Sequence, residues 1–238
     1  MILPEKTILL CTEERTGSHL LSQHLATTGI LGRPYEYFNT HWMRSHHEGY
    51  PEDVPDQLKE AVKQGMTPNG VLALKMHPWA MDRALPHIDL ARDLGQVFFV
   101  LLTREDILGQ AISRLKARQT DVWVAGRPAI TQGGMTRYDG PLLLDTVRDL
   151  LGRRARWELY FARNGVVPLR TTYEEVTADP QEVVDRIAAH AGVDGNCELG
   201  RERWYSFDRQ ADEINEEWRR CFTREFSDLQ VLDTAVGG

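Results

Sequence analysis

The sequence predicts an α/β fold in which helices flank a central parallel sheet. Short apolar or β-branched runs recur along the chain, and the stretches between them are long enough to hold crossover helices. Those stretches also repeat apolar residues at helical spacing. The predicted strands are Thr7–Cys11, Val71–Met76, Val97–Thr103 and Val166–Thr172.

The fourth predicted strand contains a proline. Pro168 has no N–H to donate to a neighbouring strand, so it is tolerated at the edge of a sheet or where a strand begins. We therefore expect Val166–Thr172 at such a position.

The helical spacing predicts helices between and after these strands, and the longest of them has an apolar face. An Asn-Gly pair at 164–165 supplies the stop signal of that helix. The residues that fall roughly on its apolar face are Leu143, Val147, Leu150, Leu151 and Trp157. The predicted helices are Gly17–Thr28, Pro55–Gln64, Arg104–Arg118, Pro141–Arg163 and Pro180–His190.

Two segments lack periodicity and are rich in Gly, Pro, His and Arg. They are Asn39–Pro55 and Val124–Gly140. Such composition is typical of surface loops over the ends of strands, where binding residues often lie. We expect these loops, around 39–55 and 124–140, to hold an acceptor molecule.

Composition and length limit the class of protein. The 238 residues are interpreted as a single domain spanning 1–238. A net charge of −7 argues against a nucleic-acid surface, although a local basic pocket for one anionic ligand is compatible with it. Cys11, Cys197 and Cys221 have no CxxC spacing, so they indicate neither a disulfide framework nor a zinc site.

The apolar runs argue against a membrane protein. The longest, Val97–Leu102, is too short to cross a bilayer, and the amino-terminal string MILPEKTILL lacks the features of a secretory signal. We therefore expect a cytoplasmic protein with no membrane span, reduced thiols and a small-molecule partner.

A candidate anion-binding loop follows the first predicted strand in the string CTEERTGSHLL. Backbone N–H groups at the start of a helix have no partner within it, so a phosphate or sulfate docks there readily. Gly17 permits a close approach of the backbone, while Thr16 and Ser18 offer hydroxyl donors. Arg15 adds a charge that does not titrate, and His19 can add another donor.

The residues of this loop leave alternatives open. Ser18 could simply cap a helix while Arg15 is a solvated charge. Glu13 and Glu14 would raise the negative potential beside an anion unless they point away or pair with Arg15. The loop also lacks the GxxxxGK[ST] pattern, which disfavours an ordinary ATP- or GTP-binding P-loop.

A second basic position follows the third predicted strand. Arg104 stands at the strand exit, and Ser113 lies in the next helix. On a continuous helix their separation would place them on opposite faces, so a shared ligand requires Arg104 to precede the helix. In the alternative interpretation, Arg104 and Glu105 are helix-entry charges and Ser113 is incidental.

Five segments occur together and in order along most of the chain. They are CTEERTGSHLL, GRPYEYF at 32–38, NGVLALKMHPW at 69–79, the stretch at 104–123 and RQADEINEEW at 209–218. Together they resemble the bacterial trehalose 2-sulfotransferase-like family. Their joint order is more specific than any one of them.

The resemblance implies a three-layer, P-loop-like α/β fold and a sulfotransferase activity. The sulfuryl donor would be 3′-phosphoadenosine-5′-phosphosulfate (PAPS), with adenosine 3′,5′-bisphosphate (PAP) as the product. Glu14 and His19 replace a Gln and a Thr of the family's typical string. The residues that the resemblance assigns to the sulfate end of the donor are Arg15, Thr16, Gly17 and Ser18.

The resemblance also assigns residues outside this loop. Arg104 and Ser113 correspond to the pair that holds the 3′-phosphate of the donor. Arg209 and Gln210 correspond to the segment that closes over the donor. Related enzymes suggest a homodimer.

Glu36 in GRPYEYF matches the family's general base, which accepts the proton of the acceptor hydroxyl. We expect its neighbours Tyr35, Tyr37 and Phe38 to desolvate the carboxylate, to raise its pKa and to offer stacking faces for a sugar ring.

Other residues could share the chemistry. Arg15 and the N–H groups of the loop would stabilise the charge that develops during transfer. His77 is a second candidate base, and Lys75 could instead assist the leaving phosphate. His46 and His47 have no carboxylate or cysteine companions at ligand spacing, so no metal is assigned.

Two functions of other classes stay open. A nucleotide-dependent kinase is disfavoured by the absent Lys-[Ser/Thr] signature. A non-catalytic nucleotide-binding or scaffold protein of the same fold is compatible with the altered Glu13-Glu14 loop. The acceptor is expected to be a small, sugar-like molecule with a free hydroxyl, and trehalose is one candidate.

Overall fold

The structure is a computed structural model that describes residues 3–123, 136–200 and 213–227. These residues divide into two compact units. The first unit contains 3–105 and 156–200, and the second contains 106–123, 136–155 and 213–227.

The described residues form four strands and ten helices. The strands are β1 (Lys6–Cys11), β2 (Val71–Met76), β3 (Gln96–Thr103) and β4 (Leu169–Thr172). The helices are α1 (Ser18–Thr27), α2 (Thr40–Arg44), α3 (Val54–Gly65), α4 (Pro78–Ala84), α5 (Leu90–Asp93), α6 (Ile107–Thr120), α7 (Gly140–Asn164), α8 (Tyr173–Ala178), α9 (Pro180–Ala191) and α10 (Glu213–Glu225). In these ranges no helix is both long and apolar enough to cross a membrane.

The first unit contains one parallel sheet with the strand order β2-β1-β3-β4. The predicted parallel sheet is therefore confirmed. Pro168 lies immediately before β4, and β4 is an edge strand, as expected for a residue that cannot donate to a ladder. The strand begins at Leu169 rather than at Val166.

Alternating side chains of the sheet enter two separate cores. On β1, Leu9 and Cys11 face one core, whereas Ile8 and Leu10 face the other. This period of two is the geometry of a strand buried on both faces. Helices α3, α4 and the carboxyl-terminal part of α7 cover the first face, and α1, α8 and α9 cover the second. The unit therefore has three layers.

The helix boundaries follow capping residues. Asp179 precedes α9, and its carboxylate accepts a hydrogen bond of 3.0 Å from the N–H of Glu182. Pro180 occupies the first helical position, where a missing N–H costs nothing. Gly192 ends the helix with a φ of 57°. Likewise, α7 ends at Asn164, and the predicted Asn-Gly stop is confirmed.

The second unit is helical in its described part. Apolar residues of α6, α7 and α10 pack into one cluster, which includes Ile112, Leu150 and Trp218. Arg114 is buried and forms an ion pair with Asp149. The apolar face predicted for the longest helix is correct except at Leu151, which is 42% exposed.

The segment predicted as the loop Asn39–Pro55 differs from that expectation. It contains helix α2 and the first residues of α3, and Met43 and Tyr50 are buried. The guanidinium of Arg83 donates hydrogen bonds to the Phe38 carbonyl and the Thr40 hydroxyl at 2.8 and 3.0 Å. This segment packs against the rest of the unit because it buries side chains of its own, such as Met43 and Tyr50, in the core. Most of the second predicted loop, 124–140, lies outside the described residues.

Candidate active site

The loop between β1 and α1 has the backbone of an anion-binding turn. Arg15 and Gly17 have φ angles of 65° and 77°. Holding a non-glycine residue there costs about 1 to 3 kcal/mol, so the surrounding structure must fix it. Gly17 occupies the N-cap position and Ser18 begins the helix, so the alternative in which Ser18 caps α1 is wrong. The first N–H groups of α1 therefore lie beside Arg15.

Two side chains of this loop point inward. The Thr16 hydroxyl is fully buried and donates a 3.0 Å hydrogen bond to the Glu13 carbonyl, and its role toward the donor stays a prediction. The Glu13 side chain is also fully buried. Burial and then the Glu13 carboxylate raise the pKa of the Cys11 thiol. The Glu13 charge is thus buried rather than exposed at the loop surface.

Arg104 approaches the same loop from β3. It directly follows that strand and precedes α6, as a shared ligand would require. Burial and then Arg104 lower the pKa of Arg15, because two guanidinium groups repel each other. The Arg104 guanidinium carbon also lies 4.8 Å from the centroid of the Tyr173 ring. Two arginines from separate segments therefore converge in the first unit.

Ser113, Arg209 and Gln210 are the other residues predicted to hold the donor. Ser113 is a half-buried residue of α6 in the second unit. Arg209 and Gln210 lie outside the described residues. Their assignments stay predictions.

Glu36 lies in a buried cluster of ionisable side chains. One of its carboxylate oxygens is 2.9 Å from the Lys75 ammonium and 3.3 Å from His77 Nε2. The other accepts a 2.7 Å hydrogen bond from the Asn39 side chain. Glu36, Lys75 and His77 are all buried, and the most exposed of them, Glu36, is 8% exposed. The structure thus brings Glu36 together with the second candidate base, His77, and with Lys75, the residue that was expected to assist the leaving phosphate.

The pKa of Glu36 differs from the expectation. Burial alone would raise it, but Lys75 and His77 together hold the pKa well below its usual value. The expectation that aromatic neighbours raise the pKa is therefore wrong, because opposite charges outweigh desolvation. Tyr37 and Phe38 are core residues, and they offer no stacking face.

His77 has an acceptor beside each ring nitrogen. Its Nδ1 lies 3.2 Å from the Thr12 carbonyl, and its Nε2 faces the Glu36 carboxylate. Burial opposes a charge on the ring, but Glu36 raises the pKa of His77. This arrangement favours the imidazolium form, which can donate on both sides.

His19 connects the Glu36 cluster to the anion loop. Its ring nitrogens lie 3.3 and 3.4 Å from the Lys75 ammonium. Burial first, and then Lys75, lower the pKa of His19 to about 3, and the charge of Arg15 contributes as well. His19 is therefore neutral near pH 7, and it can accept a hydrogen bond from Lys75.

Asn39 and Tyr173 were missed by the sequence analysis. Asn39 caps α2 by accepting from the N–H of Trp42, and it also holds Glu36. Tyr173 follows the cap of the T-x-x-E capping box formed by Thr172 and Glu175, a pattern that is visible in the sequence. That pattern could have located the helix start, although not the contact with Arg104.

The cluster has the groups needed for transfer of an anionic group. Arg15, Arg104 and the start of α1 can hold negative charge, and the nearby Glu36 carboxylate can accept a proton. In the described ranges no three His, Cys, Asp or Glu side chains are grouped as metal ligands. The chemistry available here is electrostatic stabilisation combined with proton transfer.

Comparison with known proteins identifies the family. The profile of the Stf0 sulphotransferase family matches residues 7–225. The trehalose 2-sulfotransferase of Mycolicibacterium smegmatis is 26% identical over 256 residues, covering 91% of this chain and 94% of the relative. The trehalose 2-sulfotransferase of Mycobacterium tuberculosis is 26% identical over 250 residues, covering 88% and 91% respectively.

Solved structures agree on the fold. The sulfotransferase domain from the Synechococcus PCC 7002 olefin synthase gives a TM-score of 0.52 at 16% identity, with 99% of this chain and 94% of that domain covered. The sulfotransferase domain from the curacin biosynthetic pathway gives 0.50 at 14% identity, with 82% and 76% covered. The predicted P-loop-like fold and the family resemblance are confirmed. Because the profile matches most of its length, the chain belongs to the Stf0 sulphotransferase family and is a sulfotransferase enzyme.

Proposed function

We propose that this sulfotransferase moves a sulfuryl group from PAPS to a hydroxyl of a small, carbohydrate-like acceptor. The observation that carries the proposal is the convergence of Arg15 and Arg104 close to a buried carboxylate. Two guanidinium groups in one half-buried place concentrate positive charge, which suits a ligand that carries several negative charges. A donor with phosphate groups at both its 3′ and 5′ positions suits two arginines that come from different strands.

The donor's sulfate end would lie at the start of α1. Arg15, Gly17, Ser18 and the backbone N–H of Thr16 would hold the phosphosulfate. Arg104 would hold the 3′-phosphate, and the family correspondence assigns Ser113 to the same phosphate. By the same family correspondence, Arg209 and Gln210 would belong to the segment that closes over the donor. The inward hydroxyl of Thr16 would instead keep the loop in shape.

Glu36 would serve as the base. An acceptor hydroxyl oxygen attacks sulfur, the new O–S bond forms, and the bond from sulfur to the 5′-phosphate oxygen breaks. The hydroxyl proton passes to the Glu36 carboxylate, and PAP leaves. Because its pKa is lowered, Glu36 is ionised at neutral pH and ready to accept this proton.

Lys75 and His77 would support Glu36 rather than replace it. The Lys75 ammonium has no lone pair, and both nitrogens of His77 already face acceptors. His77 would therefore act as a positioning cation. His19, which stays neutral, would hold Lys75 on its other side.

The acceptor class comes from the relatives, which are named as trehalose 2-sulfotransferases. At 26% identity the hydroxyl that is attacked can differ between relatives. A panel of sugars and sugar-containing metabolites, trehalose included, should be incubated with sulfur-labelled PAPS and analysed by mass. A sample without the protein, run in parallel, identifies products that do not depend on the enzyme. A labelled sugar formed only when the protein is present supports the proposal, whereas a labelled product without a sugar overturns the acceptor class.

Ligand titration tests the proposed donor. We expect the protein to bind PAP in preference to ADP, because only PAP has a 3′-phosphate for Arg104. A preference for ADP, or binding of neither nucleotide, would overturn PAPS as the donor. The homodimer and the single-domain, cytoplasmic protein stay predictions.

A further inference from the structure

Tyr173 lies where the two halves of the proposed donor site meet. Thr103 and Thr172 are paired in the register of β3 and β4. The residues that follow them, Arg104 and Tyr173, therefore leave adjacent parallel strands side by side. The Arg104 guanidinium carbon lies 4.8 Å from the centroid of the Tyr173 ring, within the range of a cation–π contact.

The same ring also packs against the anion loop. A Cβ atom placed on Gly17 would lie 2.4 Å from Cδ2 and 3.1 Å from Cε2 of Tyr173. Real Cβ atoms do not come so close, so the ring occupies the space beside the Gly17 backbone. Tyr173 also acts electrostatically on Arg15, where it opposes the fall in pKa caused by burial and Arg104. One side chain thus contacts both the loop that is proposed to bind the donor's 5′-phosphosulfate and the arginine that is proposed to bind its 3′-phosphate.

The backbone that carries Tyr173 is fixed by several hydrogen bonds. The Glu175 carboxylate accepts from the Thr172 N–H and the Thr171 hydroxyl at 2.9 and 2.8 Å. The Glu175 N–H in turn donates to the Thr172 hydroxyl at 3.2 Å. The Glu174 carboxylate accepts a 3.1 Å hydrogen bond from the N–H of Glu105, next to Arg104. The backbone at Tyr173 is therefore fixed, and the tyrosine ring can restrict the conformations of the long, flexible Arg104 side chain.

We propose that Tyr173 is a positioning residue that sets the donor specificity of this enzyme, acting through Arg104 and Gly17. Its ring orients the Arg104 guanidinium toward the 3′-phosphate and fixes the spacing between that guanidinium and the start of α1. This role rests on the proposed use of PAPS. It predicts that the ring, rather than the phenolic hydroxyl, sustains the preference for a 3′-phosphate.

The test compares PAP with AMP, which lacks the 3′-phosphate, by calorimetric titration of the full chain. In Tyr173→Leu the ratio of PAP affinity to AMP affinity should fall by about 5- to 30-fold, the range of a partly desolvated cation–π contact, while AMP binding changes little. Tyr173→Phe keeps the ring and should retain the ratio. Tyr160→Leu is the matched control, because Tyr160 is a half-buried tyrosine in the aromatic cluster of the same unit.

Each outcome decides one claim. A wild type that does not prefer PAP over AMP overturns the proposed donor, and this inference with it. If the wild type prefers PAP and Arg104→Ala removes the preference, but Tyr173→Leu keeps it, the positioning role is overturned and the donor assignment stands. If Tyr173→Leu does not fold, Tyr173→Met fills more of the space without a ring, and the same ratio decides.

Discussion

The Glu36 carboxylate is held from three directions. Lys75 and His77 contact one oxygen, and Asn39 contacts the other. A buried carboxylate with such partners keeps its negative charge and a fixed orientation. It can therefore present the lone pairs of one oxygen to an incoming hydroxyl without first losing a proton.

Glu36→Gln should separate binding from chemistry. The amide preserves the shape but cannot take a proton, so turnover should fall by about two to four powers of ten while PAP binding stays nearly unchanged. Because the pKa of Glu36 is lowered, the acidic limb of wild-type turnover should lie below pH 4.5, the ordinary value for this group. Rates as a function of pH and titration with PAP measure both quantities.

The control for this variant is Glu48→Gln, which changes an exposed glutamate in the same part of the chain. It should leave turnover unchanged. Near-normal turnover in Glu36→Gln would mean that the base lies elsewhere, and His77 would be the next residue to replace.

Arg15→Ala should lower turnover more than donor affinity. Its charge lies beside the start of α1, where negative charge would grow on the leaving phosphate during transfer. We expect kcat to fall by about 100-fold or more, with a smaller change in the Kd for PAP. Steady-state rates and titration give the two numbers, and a rise in the donor KM alone would show that Arg15 only binds.

The individual site residues were predictable to different degrees. Arg15, Glu36 and Arg104 follow from strand ends and from matching segments, and the structure places Arg15 and Arg104 together. The ion pairs of Glu36 were not predictable. The contact between Lys75 and Glu36 depends on the face of β2 that Lys75 occupies and on the path that residues 32–36 take beside that strand. The sign of its pKa shift depends on those contacts, so the sequence analysis gave the wrong sign.

At the scale of elements, the segment at 32–36 runs along the free edge of β2. Tyr35 bridges to Leu74, and the Tyr35 carbonyl accepts a 3.1 Å hydrogen bond from the N–H of Lys75. Gly32 makes the approach possible, since a Cβ there would lie 2.5 Å from the Ala73 nitrogen. The position of Glu36 thus depends on a glycine several residues before it.

Gly32→Ala should destabilise the protein more than Gly29→Ala does. Both glycines have a φ of 72°, but Gly29 has open space around its Cβ position. Gly29→Ala should cost about 1 to 2 kcal/mol for the left-handed backbone alone. Gly32→Ala should add about 1 to 3 kcal/mol for the contact with the β2 backbone, and it should also lower turnover.

Urea denaturation gives the free energy of unfolding for both variants. Comparing Gly32→Ala with Gly29→Ala is informative because both glycines have the same φ angle. The difference between their losses of stability therefore reports the contact with β2. Equal losses in both would show that the segment at 32–36 can move away from β2, and that its close packing does not fix Glu36.

The elements that the sequence predicted best are those with strong local patterns. The strands and the helices α1, α3, α6, α7 and α9 match the predictions within a few residues. Short helices such as α2 and α4 were missed because two turns or fewer give little periodicity. Leu151 was misplaced because a long helix can bury only part of a broad apolar stripe.

At the scale of the whole molecule, the strand order was beyond the sequence analysis. The apolar runs predict that strands exist, but the order β2-β1-β3-β4 depends on which faces the helices cover. That order puts the carboxyl ends of β1, β2 and β3 next to one another. It therefore explains why residues from the loop at 12–17, from Lys75–His77 and from Arg104 form one cluster.

Two histidines of that cluster should give the protein a stability maximum near pH 6.5. In the folded protein the pKa of His19 is lowered to about 3, whereas that of His77 is raised. Below pH 6.5 the unfolded chain binds a proton at His19 that the folded protein does not, so stability falls as the pH falls. Above pH 6.5 the folded protein keeps a proton on His77 that the unfolded chain has released, so stability falls as the pH rises.

On each side of the maximum, the free energy of unfolding should change by at most about 1.4 kcal/mol per pH unit, the value for a single proton. Urea denaturation between pH 5 and 8.5 measures both slopes, and the lower limit keeps the ionisation of Glu36 out of the window. His19→Gln should flatten the acidic side, and His77→Gln should flatten the alkaline side. The exposed His47→Gln is the control and should keep both slopes. A His19→Gln protein that still loses stability from pH 6.5 to pH 5 at the wild-type rate would show that His19 is not the buried neutral group that sets this limit.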